Sequence, residues 1–187
     1  MVKKLGLLLV ALLSGNVMAE GFYLSSSDMQ GQLSNDQVFN GFGCAGKNIS
    51  PQLSWKNAPA GTKSFAITAY DPDAPTGSGW WHWVVFNINK SVDGLKTGAS
   101  VSSSGGSNIS KNAMPAGAIE SVTSYGVKGF GGACPPQGDK PHRYIFTAYA
   151  LDVATLDLEP NARAEFIGFN LNNHALAKAS IMAYYGR

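Results

Sequence analysis

A mainly-β fold is what the sequence predicts, and three runs of β-branched and aromatic residues carry that expectation. Ser64 to Tyr70 (SFAITAY), His82 to Ile88 (HWVVFNI) and Arg143 to Leu151 (RYIFTAYAL) are each bounded by Gly, Pro or Asp, which end strands. Only one long stretch has helical character, and nothing repeats internally.

In chain order, Lys3 and Lys4 precede an apolar stretch from Leu5 to Leu13 and the small-residue pattern Val17-Met18-Ala19. This is the pattern of a secretory signal peptide over residues 1–19, cleaved near Ala19. Ser14, Gly15 and Asn16 interrupt the run before the roughly 20 apolar residues that a membrane helix needs. Glu20 follows the cleavage site where a lipid-anchored protein would carry cysteine. Residues 20–187 are then expected to form one exported domain, periplasmic or secreted and not membrane-spanning.

Gly21 to Ser25, and Leu53-Ser54-Trp55 ahead of an Asn-Ala-Pro-Ala-Gly turn, are further strand candidates. Gly94 to Gly126, rich in Ser and Gly without a sustained period, reads as a long surface excursion. Asn161 to Ser180 reads as a helix with Phe166, Phe169 and Leu176 on its apolar face, interrupted at Gly168 and the asparagines. Ile181 to Tyr185 is a final strand candidate.

Fourteen basic and twelve acidic residues leave a net charge of +2. With no basic stripe to neutralise a row of phosphates, nucleic acid is not an expected partner. The two cysteines, Cys44 and Cys134, form an even pair in an exported chain, and the reading is a disulfide. Neither belongs to a C-x-x-C pair, which disfavours a catalytic or metal-binding thiol.

Chemistry-bearing residues fall in two clusters. In "DPDAPTGSGWWHWVVFN", Asp71 and Asp73 flank a proline that favours extended backbone, so both carboxylates are expected to project together past a strand end. Period two then places His82 at the head of the row Val84, Phe86, Ile88, as a polar group at a pocket mouth. In "GFGGACPPQGDKPHRYIFTAY", His142 and Tyr144 share a strand face while Arg143 points away, towards a salt bridge or cap. Gly129, Gly131 and Gly132 precede them and would allow an anion-binding nest of backbone N–H groups, although a Gly/Pro-rich turn is more often a structural connector. Each residue has a structural alternative: an Asx-turn for Asp71 or Asp73, core and rim packing for Trp80, Trp81 and Trp83, and a hydrogen-bonded structural role for His174.

Together these segments resemble the phosphatidylethanolamine-binding protein family, in its bacterial Raf-kinase-inhibitor-like branch. The motifs are "DPDAP" followed by "HWVVFNI", then "GGACPP" followed by "PHRYIFTAYAL", joined by "NISPQLSW" (Asn48 to Trp55) and the ending "HALAKASIMAYYGR". The resemblance covers nearly all of residues 20–187, with Gly94 to Tyr125 as its poor patch. It implies two packed β-sheets, a few short flanking helices including a C-terminal one, and a small anion pocket at one end. The implied ligand-binding residues are Asp71, Asp73, His82, His142 and Tyr144, with Ala133, Cys134 and Pro135 lining the site through their backbone. It supports the Cys44 to Cys134 disulfide and implies phosphate-type head groups as ligands. One departure stands out: Thr123-Ser124-Tyr125-Gly126 occupies the place of an Asn-Asp-aromatic-Gly stretch.

A zwitterionic head group such as phosphorylethanolamine suits such a pocket. Backbone N–H groups, Tyr144 and a protonated histidine would bind its phosphate, while Asp71 or Asp73 accepts from its ammonium. The expectation is therefore a non-catalytic binding protein for a phosphorylated small molecule or lipid head group, without cofactor or metal, that also acts on a protein partner such as a peptidase or host protein. Two other classes stay open. One is a metal-dependent hydrolase using the Asp/His cluster, although no H-E-x-x-H or G-x-S-x-G signature is present. The other is an inhibitor of a peptidase or another protein.

Overall fold

The computed structural model describes residues 21–100 and 112–187. The expected signal peptide, and residues 101–111 of the Gly94 to Gly126 excursion, lie outside the described residues.

Along the chain, β1 (Tyr23–Ser25), β2 (Asn40–Gly41), β3 (Cys44–Ala45), β4 (Leu53–Lys56), β5 (Ser64–Asp71), β6 (Trp80–Asn89), β7 (Gly94–Leu95), β8 (Ile119–Glu120) and β9 (His142–Leu151) precede α1 (Ala164–His174) and β10 (Ala175–Tyr185). A five-stranded antiparallel sheet has the order β10-β9-β5-β6-β8, a three-stranded sheet the order β1-β4-β7, and β2 with β3 forms a small hairpin. The expected mainly-β architecture is present, and all three strong strand candidates fall on the large sheet.

That sheet is covered on both faces, which is why β5 is buried at every position but Tyr70. On one face Phe65, Ile67, Val85 and Phe146 pack with Leu24, Leu53, Trp55 and Leu95 of the smaller sheet. On the other, Ala66, Val84, Phe86 and Leu151 pack against Ile167 and Leu171 of α1.

The helix expected from Asn161 to Ser180 ends at His174, and the alanine-rich residues after it form β10. β10 pairs with β9 along nearly its whole length, from Ala175 opposite Leu151 to Tyr185 opposite His142. Pairing satisfies the β9 edge, and Ala179 and Ala183 turn inwards while Lys178, Ser180 and Tyr184 alternate outwards. Alanine suits a helix as well as this period-two pattern, so composition hid the strand. The helix face also differs from expectation. Ala164, Ile167, Gly168 and Leu171 are buried, whereas Phe166 and Phe169 are 54% and 61% exposed. Gly168 is the contact residue because the Trp81 ring lies 3.4 Å from where its Cβ would be.

The second difference concerns β6. Register against β5 shifts twice, between Phe65/Ile67 and between Ala69/Tyr70, and each time β6 supplies one extra residue. The second extra residue is His82, since Ala69 lies opposite Trp83 and Tyr70 opposite Trp81. The expected single row is therefore broken. Val84 and Phe86 face α1, Ile88 faces the smaller sheet, and His82 turns to Tyr144 with ring centroids 5.1 Å apart. Bulges insert one residue and re-aim its side chain, which sequence periodicity does not register.

Leu171→Ala should lower unfolding free energy by about 2–5 kcal/mol, because a fully buried leucine leaves a cavity. Phe169→Ser should change it by no more than about 0.5 kcal/mol. Urea denaturation of both variants checks which face of α1 is packed.

Candidate functional site

Where β5 ends and β6 and β9 begin, their termini lie side by side, and a cavity of about 200 Å³ opens there. Its floor is set by Asp71, His82, His142 and Tyr144, and its walls by Phe42, Pro75, Trp80, Tyr125, Cys134 and the two prolines after it.

Asp71 organises the first motif. Its Oδ1 accepts from the Asp73 and Ala74 N–H groups at 2.8 and 3.1 Å, an Asx-type turn that bends the chain out of β5. Its Oδ2 accepts from His142 Nδ1 at 2.7 Å, with both side chains buried. The Nε2 of His142 lies 3.4 Å from Asp139 Oδ2. Gly79 closes the loop at φ 68°, where a Cβ would lie 2.2 Å from the Tyr70 hydroxyl.

His82 is pinned at the bulge. Gly131 N–H donates to the His82 carbonyl at 2.8 Å, and His82 Nδ1 donates to the Gly131 carbonyl at 2.7 Å. Tyr125 Oη, 3.5 Å from Nδ1, gives its own proton to the Gly132 carbonyl at 2.6 Å. Both neighbours of Nδ1 are thus acceptors, so Nδ1 carries the proton and Nε2 of the neutral ring keeps its lone pair. Burial pushes the His82 pKa down to about 4, against the opposing pull of the Gly131 carbonyl and the Asp71 charge. Among the described residues, His82 Nε2 and Tyr144 Oη are buried polar atoms with no hydrogen-bond partner. Burial also raises the Tyr144 pKa well above its ordinary value, so the phenol stays protonated.

The sequence-expected residues divide accordingly. Asp71, His82, Cys134, Pro135, His142 and Tyr144 all border the cavity. Asp73 does not; its carboxylate takes the Arg143 side chain at 2.8 and 2.9 Å and the Arg143 N–H at 2.9 Å. The Arg143 side-chain bond holds the Asp73 carboxyl well below the usual range, and Arg143 makes the expected salt bridge. Ala133 is likewise displaced from the lining, because its N–H donates to Gln37 and its carbonyl accepts from Phe39.

The glycines act as the structural connector that such a turn more often is: Gly131 N–H is held by His82 and Gly132 N–H by Asn48 Oδ1 at 2.7 Å. These glycines serve close packing. A Cβ on Gly131 would lie 2.3 Å from the Tyr125 ring, and one on Gly132 the same distance from the Gln37 carbonyl. His174 bonds to Asp152 away from the site. No three His, Cys, Asp or Glu side chains among the described residues gather as a metal-binding set.

Sequence reasoning missed the rim. Phe42, 68% exposed at φ 53°, rides on the β2–β3 hairpin and stacks on Tyr125 at 5.8 Å. Trp80, within the expected core and rim packing, meets Tyr125 edge-on at 5.3 Å and lines the cavity. Two ties hold the hairpin in place. The expected disulfide joins Cys44 to Cys134 across 90 residues, a closure worth about 4 kcal/mol in chain-entropy terms. Arg187 donates to the carbonyls of Pro135, Gly43 and Phe42 at 2.7, 3.0 and 3.3 Å. The pairing of Cys44 with a cysteine in the second motif was the available signal, since it obliges the hairpin to lie at the site.

A family model of phosphatidylethanolamine-binding proteins matches residues 27–186. The chain belongs to the phosphatidylethanolamine-binding protein family. Among its relatives, the UPF0098 protein YbcL of Escherichia coli is 43% identical over 178 residues, covering 94% of this chain and 93% of the relative. The UPF0098 protein YbhB of the same organism is 48% identical over 164 residues, covering 87% and 98%. The crystal structure of E. coli YbcL, described as a new member of the mammalian PEBP family, superposes with a TM-score of 0.83 at 43% identity, covering 90% of this chain and 99% of that one. Within this family member, the departure at residues 123–126 has a local role: Ser124 Oγ accepts the Trp81 N–H at 2.9 Å, and Tyr125 forms the cavity wall.

Because His82 is neutral when folded and titrates near 6.5 when unfolded, the unfolded chain gains a proton that the folded chain refuses between about pH 6.5 and pH 4. Stability should therefore fall as pH falls through that window, by up to about 3 kcal/mol from this group at 1.36 kcal/mol per unit. Asp73, also depressed, adds loss in the same direction at lower pH. Chemical denaturation at pH 7 and pH 4.5 should give a smaller difference for His82→Gln than for the native sequence.

Proposed function

We propose that this family member is an exported, non-catalytic binding protein whose cavity takes a phosphate-type head group such as phosphorylethanolamine, and that it also acts on a protein partner, a peptidase or host protein. The observation that carries the reading is the pair of unpartnered buried atoms, His82 Nε2 and Tyr144 Oη, at the floor of an apolar-walled cavity. Leaving a buried polar group unsatisfied costs about 1–3 kcal/mol, and a bound ligand that supplies the partners recovers it. The prolines and aromatic rings above the floor suit the carbon chain of a head group, and the cavity volume fits a molecule of that size.

Export is supported by the disulfide, which belongs to an oxidising compartment, and by the apolar segment after Lys3 and Lys4. No helix among the described residues is long and apolar enough to cross a membrane. Asp71 and His142 have the geometry of a base held by an acid, which is what a hydrolase would use. That pair is also explained by the turn it anchors, and the sulfur beside it, Cys134, is held in the disulfide.

Calorimetric titration of the oxidised protein with phosphorylethanolamine should give saturable one-to-one binding, with His82→Ala weakened at least tenfold while its circular dichroism stays native. Absence of binding to the native sequence across mildly acidic and neutral pH would defeat the head-group reading.

A further inference from the structure

The His142 imidazole on the polar floor is already paired with two carboxylates, Asp71 Oδ2 at 2.7 Å and Asp139 Oδ2 at 3.4 Å, so the floor offers a phosphate no unpaired positive charge. Facing His82 are Asp71 from the end of β5, His142 and Tyr144 from β9, and Tyr125 and Gly131 from the segment between β8 and β9. The nearest formal charge in this set is the Asp71 carboxylate, which repels a dianion. Arg187 sits at the rim with its donors on three backbone carbonyls, and Arg143 is turned outwards onto Asp73. The N–H groups of Gly131, Gly132 and Ala133 are all engaged within the protein.

What the floor does offer is one acceptor and one donor. Nδ1 is fixed as the protonated nitrogen by two acceptor neighbours, so Nε2 presents a lone pair. Tyr144 Oη presents a proton, on a ring 5.1 Å from the imidazole. Both atoms are buried, and both residues line the same cavity. The complementary ligand group carries a hydroxyl and an oxo oxygen on one centre.

We propose that the cavity binds phosphomonoesters as the hydrogen-phosphate monoanion, the ligand's own P–OH donating to His82 Nε2 while a phosphoryl oxygen accepts from Tyr144 Oη. This rests on the phosphate-binding reading above and deepens it. The site then discriminates by proton count: a sulfate monoester and a phosphodiester each lack the acidic hydroxyl and would leave Nε2 facing an acceptor, the uncompensated contact that makes hydrogen-bonding sites selective. The ligand must be protonated on binding whenever the solution is above the second phosphate pKa of about 6.

The test is calorimetry of the oxidised, full-length exported chain with phosphorylethanolamine and with its sulfate counterpart, 2-aminoethyl hydrogen sulfate, from pH 5.5 to 8.5 in buffers of different ionisation enthalpy. Phosphorylethanolamine should bind with uptake approaching one proton per ligand above pH 7, its affinity falling about tenfold per pH unit there. The sulfate should bind at least 100-fold more weakly at every pH. Tyr144→Phe should weaken phosphate binding yet keep the proton uptake, which a merely unfolded variant would not. Phosphate binding without proton uptake overturns the proposal and leaves the head-group reading intact. So does sulfate binding of comparable strength with proton uptake, because the imidazolium then supplies the proton. Failure of phosphorylethanolamine to bind at any pH overturns the head-group reading itself and the proposal with it.

Discussion

His82 and Gly131 exchange two hydrogen bonds, Gly131 N–H to the His82 carbonyl and imidazole N–H to the Gly131 carbonyl, and the site is built outwards from that exchange. A single extra residue in β6 creates the opportunity. Without it His82 would continue the row of Val84 and Phe86 towards α1, inside an apolar layer with no partner for its ring. With it the imidazole turns to the opposite face, where Gly131 fixes its tautomer and Tyr125 backs it. The next glycine is tied to Asn48, and the following alanine pairs with the segment before β2, so the bulge position propagates into the loop carrying Cys134 and Pro135.

The rim is held by different physics. The hairpin bearing Phe42 is two residues per strand and would not be stable alone. A disulfide restricts it in the unfolded and folded chain alike, and the Arg187 guanidinium bridges it to the carbonyl of Pro135. Aromatic stacking of Phe42 on Tyr125 then closes one wall. The cavity thus combines a floor fixed by backbone exchange with a wall fixed by a covalent tie. The acids of the first motif do positioning: Asp71 holds a turn and His142, and Asp73 holds Arg143.

Much of this was legible in the chain. The three long strands announced themselves through β-branched runs, and the residues of two separated motifs do meet at one sheet end. The failures have identifiable causes. Alanine satisfies helix and strand alike, so residues 175–180 of β10 read as helix and only Ile181 to Tyr185 as strand, and Phe166 and Phe169 read as the helix face where the smaller Ile167 and Gly168 fit the sheet. Periodicity cannot count an inserted residue, so the row through His82 was drawn straight. The close approach that glycine permits is to Tyr125 and the Gln37 carbonyl, partners that local sequence does not name. Arg187 carried no local signal, because its partners are backbone carbonyls roughly fifty and more than a hundred residues away in sequence.

His82 lines the cavity, and its Nε2 is buried, unpartnered and, with Nδ1 protonated, without a proton. Nitrogen-15 NMR of the three histidine side chains at pH 7, with His82 assigned by loss of its signals in His82→Gln, tests this directly. The expected result is the Nδ1–H tautomer for His82 in the ligand-free protein, and a shift of Nε2 when phosphorylethanolamine is added. An Nε2–H tautomer, or an imidazolium at neutral pH, would contradict it.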